Sequence, residues 1–296
     1  LENMDSKIIE AIDPRIKVFK GNIINKDSMQ SFFADSENSI VFHMAGLIHP
    51  KFFTRQIYSV NQVGSKNVID LSIEHDCKRI IAVSSNSPIG TNTSSNHLFD
   101  EKSPYNPYMA YGKSKMNMEL MLNEAFNKGE IETVILRPCW FYGPDQPPRQ
   151  TTFFNMIKNG KAPIIGGGNS KRSMSYVDNT CQALLLSIKN KKAAGQTYWI
   201  ADERPYTMNE VVDTVENLLE NEFNIKCKHK RLRLPNLASG VAYYTDFLFQ
   251  SFGLYLQKVH VLSEMNKTIA CSIDKAKTEL GYSPNVSLKE GMRRSI

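Results

Sequence analysis

A doubly wound parallel α/β sheet, lacking its first strands and followed by a smaller C-terminal α+β substrate domain, is the fold this sequence predicts. Three observations carry it. Short apolar runs alternate with amphipathic stretches of helical period through the first 144 residues, the pattern of parallel strands with helices on both faces. Arg79-Ile80-Ile81-Ala82-Val83 ends in Ser84-Ser85, and Tyr111-Gly112-Lys113-Ser114-Lys115 heads a helical stretch 26 positions after Ser85. After Pro144 the rhythm changes to loops, isolated helices and short strands.

Taken in order, Arg15 to Lys20 is a strand ending in Gly21-Asn22-Ile23, and Asp27 to Phe33 a short helix. Ser39 to Met44 is a buried strand. Ile57 to Glu74 is a long helix with Val60, Val63, Val68 and Leu71 on its inner side. Arg79 to Val83 follows as a strand, then the Tyr111 helix through Leu122, then the strand Thr133 to Leu136. Beyond Pro144, Asp145 to Arg149 and Gly166-Gly167-Gly168-Asn169 bracket a helix at Phe153 to Lys158. Thr197 to Ala201 returns to the sheet. This gives a sheet domain of 1–144 plus about 174–202, and a second domain of 145–173 plus 203–296.

Composition excludes several classes. Of the residues, 41% are hydrophobic and 22% charged, ordinary for a globular chain with a core. The net charge of +6 is mild, and the basic run Lys226 to Arg233 suits a solvated loop face better than nucleic acid. No apolar run reaches the roughly 20 residues that span a bilayer, and no signal peptide is recognisable. Cysteines 77, 139, 181, 227 and 271 are odd in number and lack zinc-ligand spacing. Free thiols in a reducing cytoplasm, with no metal, is the expectation.

The chemistry concentrates around Tyr111. Tyr111 and Lys115 are four apart, so both project from one helix face. A tyrosine with a pKa of about 10 is a poor base at neutral pH. A neighbouring ammonium stabilises the phenolate and brings it into a useful range. Ser85 would hydrogen-bond the substrate oxygen. The competing reading is a surface Tyr–Lys pair and a strand end whose hydroxyls cap backbone groups.

Further segments fall in step: Val41 to Gly46, Asn61 to Val68, Leu136 to Pro144, Tyr176-Val177-Asp178-Asn179 and Glu279 to Pro284. With the Ser-Ser strand end and Tyr-x-x-x-Lys, they resemble the extended short-chain dehydrogenase/reductase superfamily, in its NAD-dependent epimerase/dehydratase branch, over nearly the whole chain. The resemblance implies a Rossmann-type sheet, NAD as cofactor with NADP also allowed, and hydride transfer at a secondary carbinol. Tyr111 would be the acid/base, Lys115 its support and a contact of the nicotinamide ribose, and Ser85 the substrate orienter. Ser84 would face the cofactor and Ser87 give a second substrate contact. Ala45, Gly46 and Pro138 would lie against the cofactor, and Asn61 would order the active-site helix. Asn22 stands where an adenine-contacting aspartate is usual. His43, inside an apolar strand, is expected to be a satisfied core residue.

Arg172, five positions before Val177, corresponds to an arginine that clamps the substrate diphosphate in sugar-nucleotide epimerases, and Arg149 is a weaker candidate of the same kind. Asn86-Ser87 after Ser85 offers no Asp-Glu pair, which disfavours dehydration. The apolar segment from Leu234 through Phe249 resembles the corresponding helix of 3β-hydroxysteroid dehydrogenase-like members, where hydrophobic substrates or membrane contact are expected, although such a stripe is more often core packing or a dimer face than a lipid site. The expected partner is therefore a small molecule, a nucleotide-diphosphate sugar ahead of a hydrophobic alcohol, with a homodimer left open. A non-catalytic NAD(P)-sensing scaffold is the alternative of another class.

A Gly-x-x-Gly-x-x-Gly turn, which supplies pyrophosphate donors at a helix N-terminus, is absent from the sequence. The expectation is an N-terminally truncated chain that binds dinucleotide weakly, is inactive by itself, and exposes an apolar sheet edge.

Overall fold

Runs containing β-branched residues form the main-sheet strands of this computed structural model, which describes residue 9 and residues 11–146 and 148–296, without the side chains of 148–150. In chain order the strands are β1 (Ile40–His43), β2 (Arg79–Val83), β3 (Glu132–Pro138), β4 (Trp140–Tyr142) and β5 (Pro163–Ile165). Then come β6 (Lys171–Arg172), β7 (Met174–Tyr176), β8 (Gln196–Ile200), β9 (Tyr206–Thr207) and β10 (Leu232–Leu234). The main sheet is wholly parallel, in the order β1-β2-β3-β8, with Val41 opposite Ile80, Ile80 opposite Thr133 and Ile135 opposite Thr197.

Side-chain alternation divides the sheet between two cores. Ile80, Ala82 and Ile135 pack with helices α1 (Ser65–Glu74) and α2 (Met109–Asn127) through Val68, Leu71, Met118 and Leu122. Ile81, Val134 and Leu136 face the other way, towards Trp199, Tyr282 and helix α3 (Val177–Lys189). A third core gathers Tyr142, Met174 and Tyr176 from the β4–β7 pair against helix α4 (Met208–Asn221), whose Val211, Val215, Leu218 and Leu219 recur at helical spacing. Thr207 and Glu210 close a reciprocal capping box at its start. Helices α5 (Asn236–Ser251) and α6 (Gln257–Glu264) then pair, and α7 (Leu288–Ser295) closes the described chain.

Two sequence expectations need correction. Arg15 to Lys20 is not a strand: no neighbouring strand hydrogen-bonds to it among the described residues, and Ile16 and Phe19 are exposed. The helix expected over 57–74 is interrupted by a π turn at Ser59–Gly64. Its wider turn shifts the helical phase, so Asn61 and Gly64 point inward while Val63 is exposed. Of the readings left open for the apolar stripe of α5, core packing does not fit, because its buried residues are Ser239, Ala242 and Asp246.

Candidate active site

The carboxyl ends of β1 and β2 bring most of the expected residues together, where a parallel sheet places its ligands. Ala45 and Gly46 lie just past β1, and Ser84, Ser85 and Ser87 just past β2. The first turns of α2 close over them. Gly112 permits that approach: a Cβ there would lie 2.5 Å from Ser87 O. Tyr108 N–H donates to the same carbonyl at 2.9 Å. Tyr111, partly buried, and Ser85 therefore flank one tight helix–strand contact.

Lys115 is buried and donates through Nζ to Val83 O at 2.9 Å. Burial lowers its pKa to about 8, against an opposing pull from Glu119. The ammonium form still predominates at neutral pH. A Cβ on Gly46 would stand 3.3 Å from Lys115 Nζ, so a residue without a side chain lets the turn after β1 lie close against the ammonium.

Asn61, fully buried in the π turn, fixes the helix from behind. Its Oδ1 accepts from Leu47 N–H at 2.7 Å, and its Nδ2 donates to Leu47 O at 2.9 Å and Ser114 Oγ at 3.0 Å. Ser114 Oγ in turn donates to Tyr111 O at 2.8 Å. The amide thus joins the Gly46 turn to the Tyr111 turn.

The other expected residues divide. Ser85 Oγ accepts from Ser87 N–H at 3.3 Å and lies 3.4 Å from Ser87 Oγ, both long bonds that a better partner could replace. Ser84 donates its proton to Glu119 Oε1, which leaves only acceptor capacity for a ligand. Pro138 ends β3 opposite Ile200 and is buried. Asn22 is exposed, and its Oδ1 accepts from Ile24 N–H at 3.2 Å within a turn. Arg172 is buried in β6; it donates to Glu264 O, but its Nε has no hydrogen-bond partner. Arg149 lies outside the described side chains. His43 is buried at 2.7 Å from Ser65 Oγ, and burial, with the Lys115 charge, lowers its pKa to about 3.

Two groups of positioning residues were missed in the sequence. Glu119, fully buried, pairs with Arg137 at 2.6 Å and accepts from Tyr105 Oη at 2.8 Å. Its spacing of four from Lys115 on one helix face was the available signal. The second group reaches α2 from α5. Tyr108, the N-cap, caps no first-turn amide with its side chain, yet Ala110 N–H donates to Gln250 Oε1 at 3.1 Å. Gln250 Nε2 donates to Asp246 Oδ1 at 2.9 Å, and Asp246 Oδ2 lies 2.8 Å from His260 Nδ1. These contacts hold Met109 at φ 53°, a strained left-handed conformation two residues before Tyr111. No local sequence pattern marks such a long-range cap.

The family model of the 3-beta hydroxysteroid dehydrogenase/isomerase family matches residues 4–234. The chain belongs to this family. As a 3-beta hydroxysteroid dehydrogenase/isomerase family member within the extended short-chain dehydrogenase/reductases, it is 46% identical over 282 residues to the uncharacterized protein y4nL of Sinorhizobium fredii, covering 95% of this chain and 79% of that one. It is 32% identical over 171 residues to the N-acetyl-alpha-D-glucosaminyl-diphospho-ditrans,octacis-undecaprenol 4-epimerase of Escherichia coli O157:H7, covering 57% of this chain and 51% of that one. The fold of this family member is similar to that of UDP-glucuronic acid 4-epimerase from Bacillus cereus, solved in complex with NAD. The TM-score is 0.75 at 20% identity, over 98% of this chain and 83% of the other.

Proposed function

We propose that the protein is an NAD-dependent oxidoreductase or epimerase acting at a secondary carbinol of a nucleotide-diphosphate sugar. The observation that carries this reading is Lys115: a buried ammonium aimed at the Gly46 turn, on the helix that presents Tyr111. Such a group is costly to bury without a purpose. The side-chain-free Gly46 beside it suits close approach of a ribose, so Ala45, Gly46, Lys115 and Pro138 would hold the nicotinamide–ribose end of a dinucleotide. When bound, the nicotinamide supplies the hydride acceptor.

This chain's own residues do the rest. Ser85 exchanges its long bonds to Ser87 for the substrate oxygen and orients the carbinol. Tyr111, as phenolate, accepts the carbinol proton and returns it in the reverse direction. Lys115 lowers the cost of the phenolate charge. The sugar-diphosphate choice is supported by the buried, unpartnered Nε of Arg172, which suits a phosphate oxygen, and by the relative named for a diphospho-linked sugar.

A hydrophobic alcohol is the second reading, favoured by the family to which the chain belongs and by the apolar surface of α5. Thermal-shift measurements on the full-length protein with NAD, and UDP- or dTDP-sugars beside sterol alcohols, separate the readings. Stabilisation by sugar nucleotides is expected. Stabilisation by sterols alone would overturn the sugar assignment, and no response to NAD or NADP would favour the scaffold.

A further inference from the structure

A charged pair lies buried against the first turn of α2. Asp246 of α5 is fully buried, and its Oδ2 stands 2.8 Å from Nδ1 of His260 in α6, itself buried. Among the described residues this is the only ion pair that Asp246 makes. A carboxylate shut away from water needs a countercharge, and the imidazolium supplies it. Asp246 Oδ1 accepts from Gln250 Nε2 at 2.9 Å, and Gln250 Oε1 accepts from Ala110 N–H at 3.1 Å. Ser263 makes a second link. Its Oγ donates to His260 O at 2.7 Å, so towards Tyr108 Oη, also at 2.7 Å, it acts as acceptor. Tyr108 N–H in turn donates to Ser87 O at 2.9 Å. The two links grip the residues on either side of Met109, whose φ of 53° persists only while its surroundings enforce it.

The charge of the pair is set at one atom. With Nδ1–H committed to Asp246, His260 becomes neutral only by losing the proton on Nε2. Nε2 faces Glu264 Oε1 at 4.0 Å. The ring otherwise meets His49 from the loop after Gly46, Tyr108 at the start of α2 and Tyr255 after α5, with centroids 6.3, 5.8 and 5.4 Å away. His49 Nδ1 bonds to Tyr255 Oη, and Arg172 donates to the Glu264 carbonyl. Burial works against the imidazolium, but the bond to Asp246 and the charges of Glu264 and Asp246 outweigh it. The His260 pKa is therefore raised above the ordinary histidine value. The folded chain holds this proton more tightly than the unfolded chain. The resulting stability is fully present below about pH 6.5 and is lost as the pH rises through the folded value.

We propose that the His260 imidazolium is a positioning residue for the Tyr111 turn: by neutralising Asp246 it keeps α5 and α6 clamped on Tyr108 and Ala110, and its deprotonation releases that turn from Ser85. The consequence for turnover rests on Tyr111 as the acid/base. The clamp itself does not, and it holds for either substrate class.

Hydrogen–deuterium exchange of the full-length protein, read by mass spectrometry on peptides covering residues 105–115, tests the clamp without any activity. After correction for the intrinsic pH dependence of exchange, protection should fall at least about tenfold as the pH rises through the His260 transition. His260→Gln should lose that protection at every pH, because the buried carboxylate is left without its countercharge. Asp246→Asn combined with His260→Gln removes both charges; it should restore most of the protection and abolish its pH dependence. In hydride-transfer assays the single variant should lose at least about tenfold in kcat, with KM for NAD within about a factor of two, and the double variant should regain most of the loss. Protection that responds neither to pH nor to His260→Gln overturns the proposal. So does a double variant no better protected than the single one, which would reduce His260 to packing. Protection that follows His260 in a protein without hydride transfer would support the clamp and refute the acid/base role of Tyr111 instead.

Discussion

His43 and Glu119 show how single buried groups set the conditions under which the site exists. With its pKa lowered to about 3 by burial and the Lys115 charge, His43 binds its proton more weakly in the folded than in the unfolded chain. Between about pH 6.5 and 3 the unfolded state therefore holds more protons, and stability falls on acidification by up to about 1.4 kcal/mol per pH unit. Denaturant titrations from neutral to acid pH should show this loss, and His43→Asn should flatten it; an unchanged slope would remove His43 as the cause. Glu119 compensates the buried guanidinium of Arg137. Glu119→Ala should cost about 3–5 kcal/mol in urea unfolding, the penalty for orphaning a buried charge, and a loss below about 1 kcal/mol would show that water reaches Arg137. Tyr111 and Lys115 could be paired from the sequence because they stand four apart on one helix, and Ser85 could be added because it ends an apolar run. The Glu119–Arg137 pair could not be read, since it joins a helix to a strand 18 residues on.

At the scale of elements, the approach of α2 to the end of β2 is the critical contact. Gly112→Ala would put a methyl 2.5 Å from Ser87 O, which forces the Tyr111 turn away from Ser85. Turnover is expected to fall at least about a hundredfold, the cost of a displacement near 1 Å. Gly240→Ala in α5 is the matched control: no atom lies within 4 Å of its added Cβ, so stability should rise by up to about 1 kcal/mol through helix propensity. Kinetics and melting curves of both variants test the pair, and normal turnover in Gly112→Ala would sever the link. The strands β1, β2, β3 and β8 were readable from apolar runs and period alone. The π turn was not, because a shift in helical phase leaves no compositional trace. The outward face of α5 was hidden for a related reason: an apolar stripe looks the same in sequence whether it meets a core or the outside.

Across the whole molecule, two cores sandwich the parallel sheet and a third joins β4 and β7 to α4 and α7. The alternation of strands and helices announced the sheet. The third core was harder to foresee, since it gathers residues from Tyr142 to Met292 through short strands that carry little periodicity. β6, and with it Arg172, pairs with β9, whose Tyr206 belongs to that core, while the α5–α6 pair reaches back to cap α2. The proposed chemistry depends on all of these holding Tyr111 against the Lys115 ammonium and Ser85. Hydride transfer by the full-length Tyr111→Phe protein, followed at the nicotinamide absorbance alongside calorimetric NAD binding, tests that most directly. Loss of the phenol should lower turnover by about 10² to 10⁴ and leave NAD affinity within about a factor of two, since the variant removes one hydroxyl and no packing. Turnover equal to that of the unsubstituted protein would contradict the assignment of Tyr111 as the acid/base.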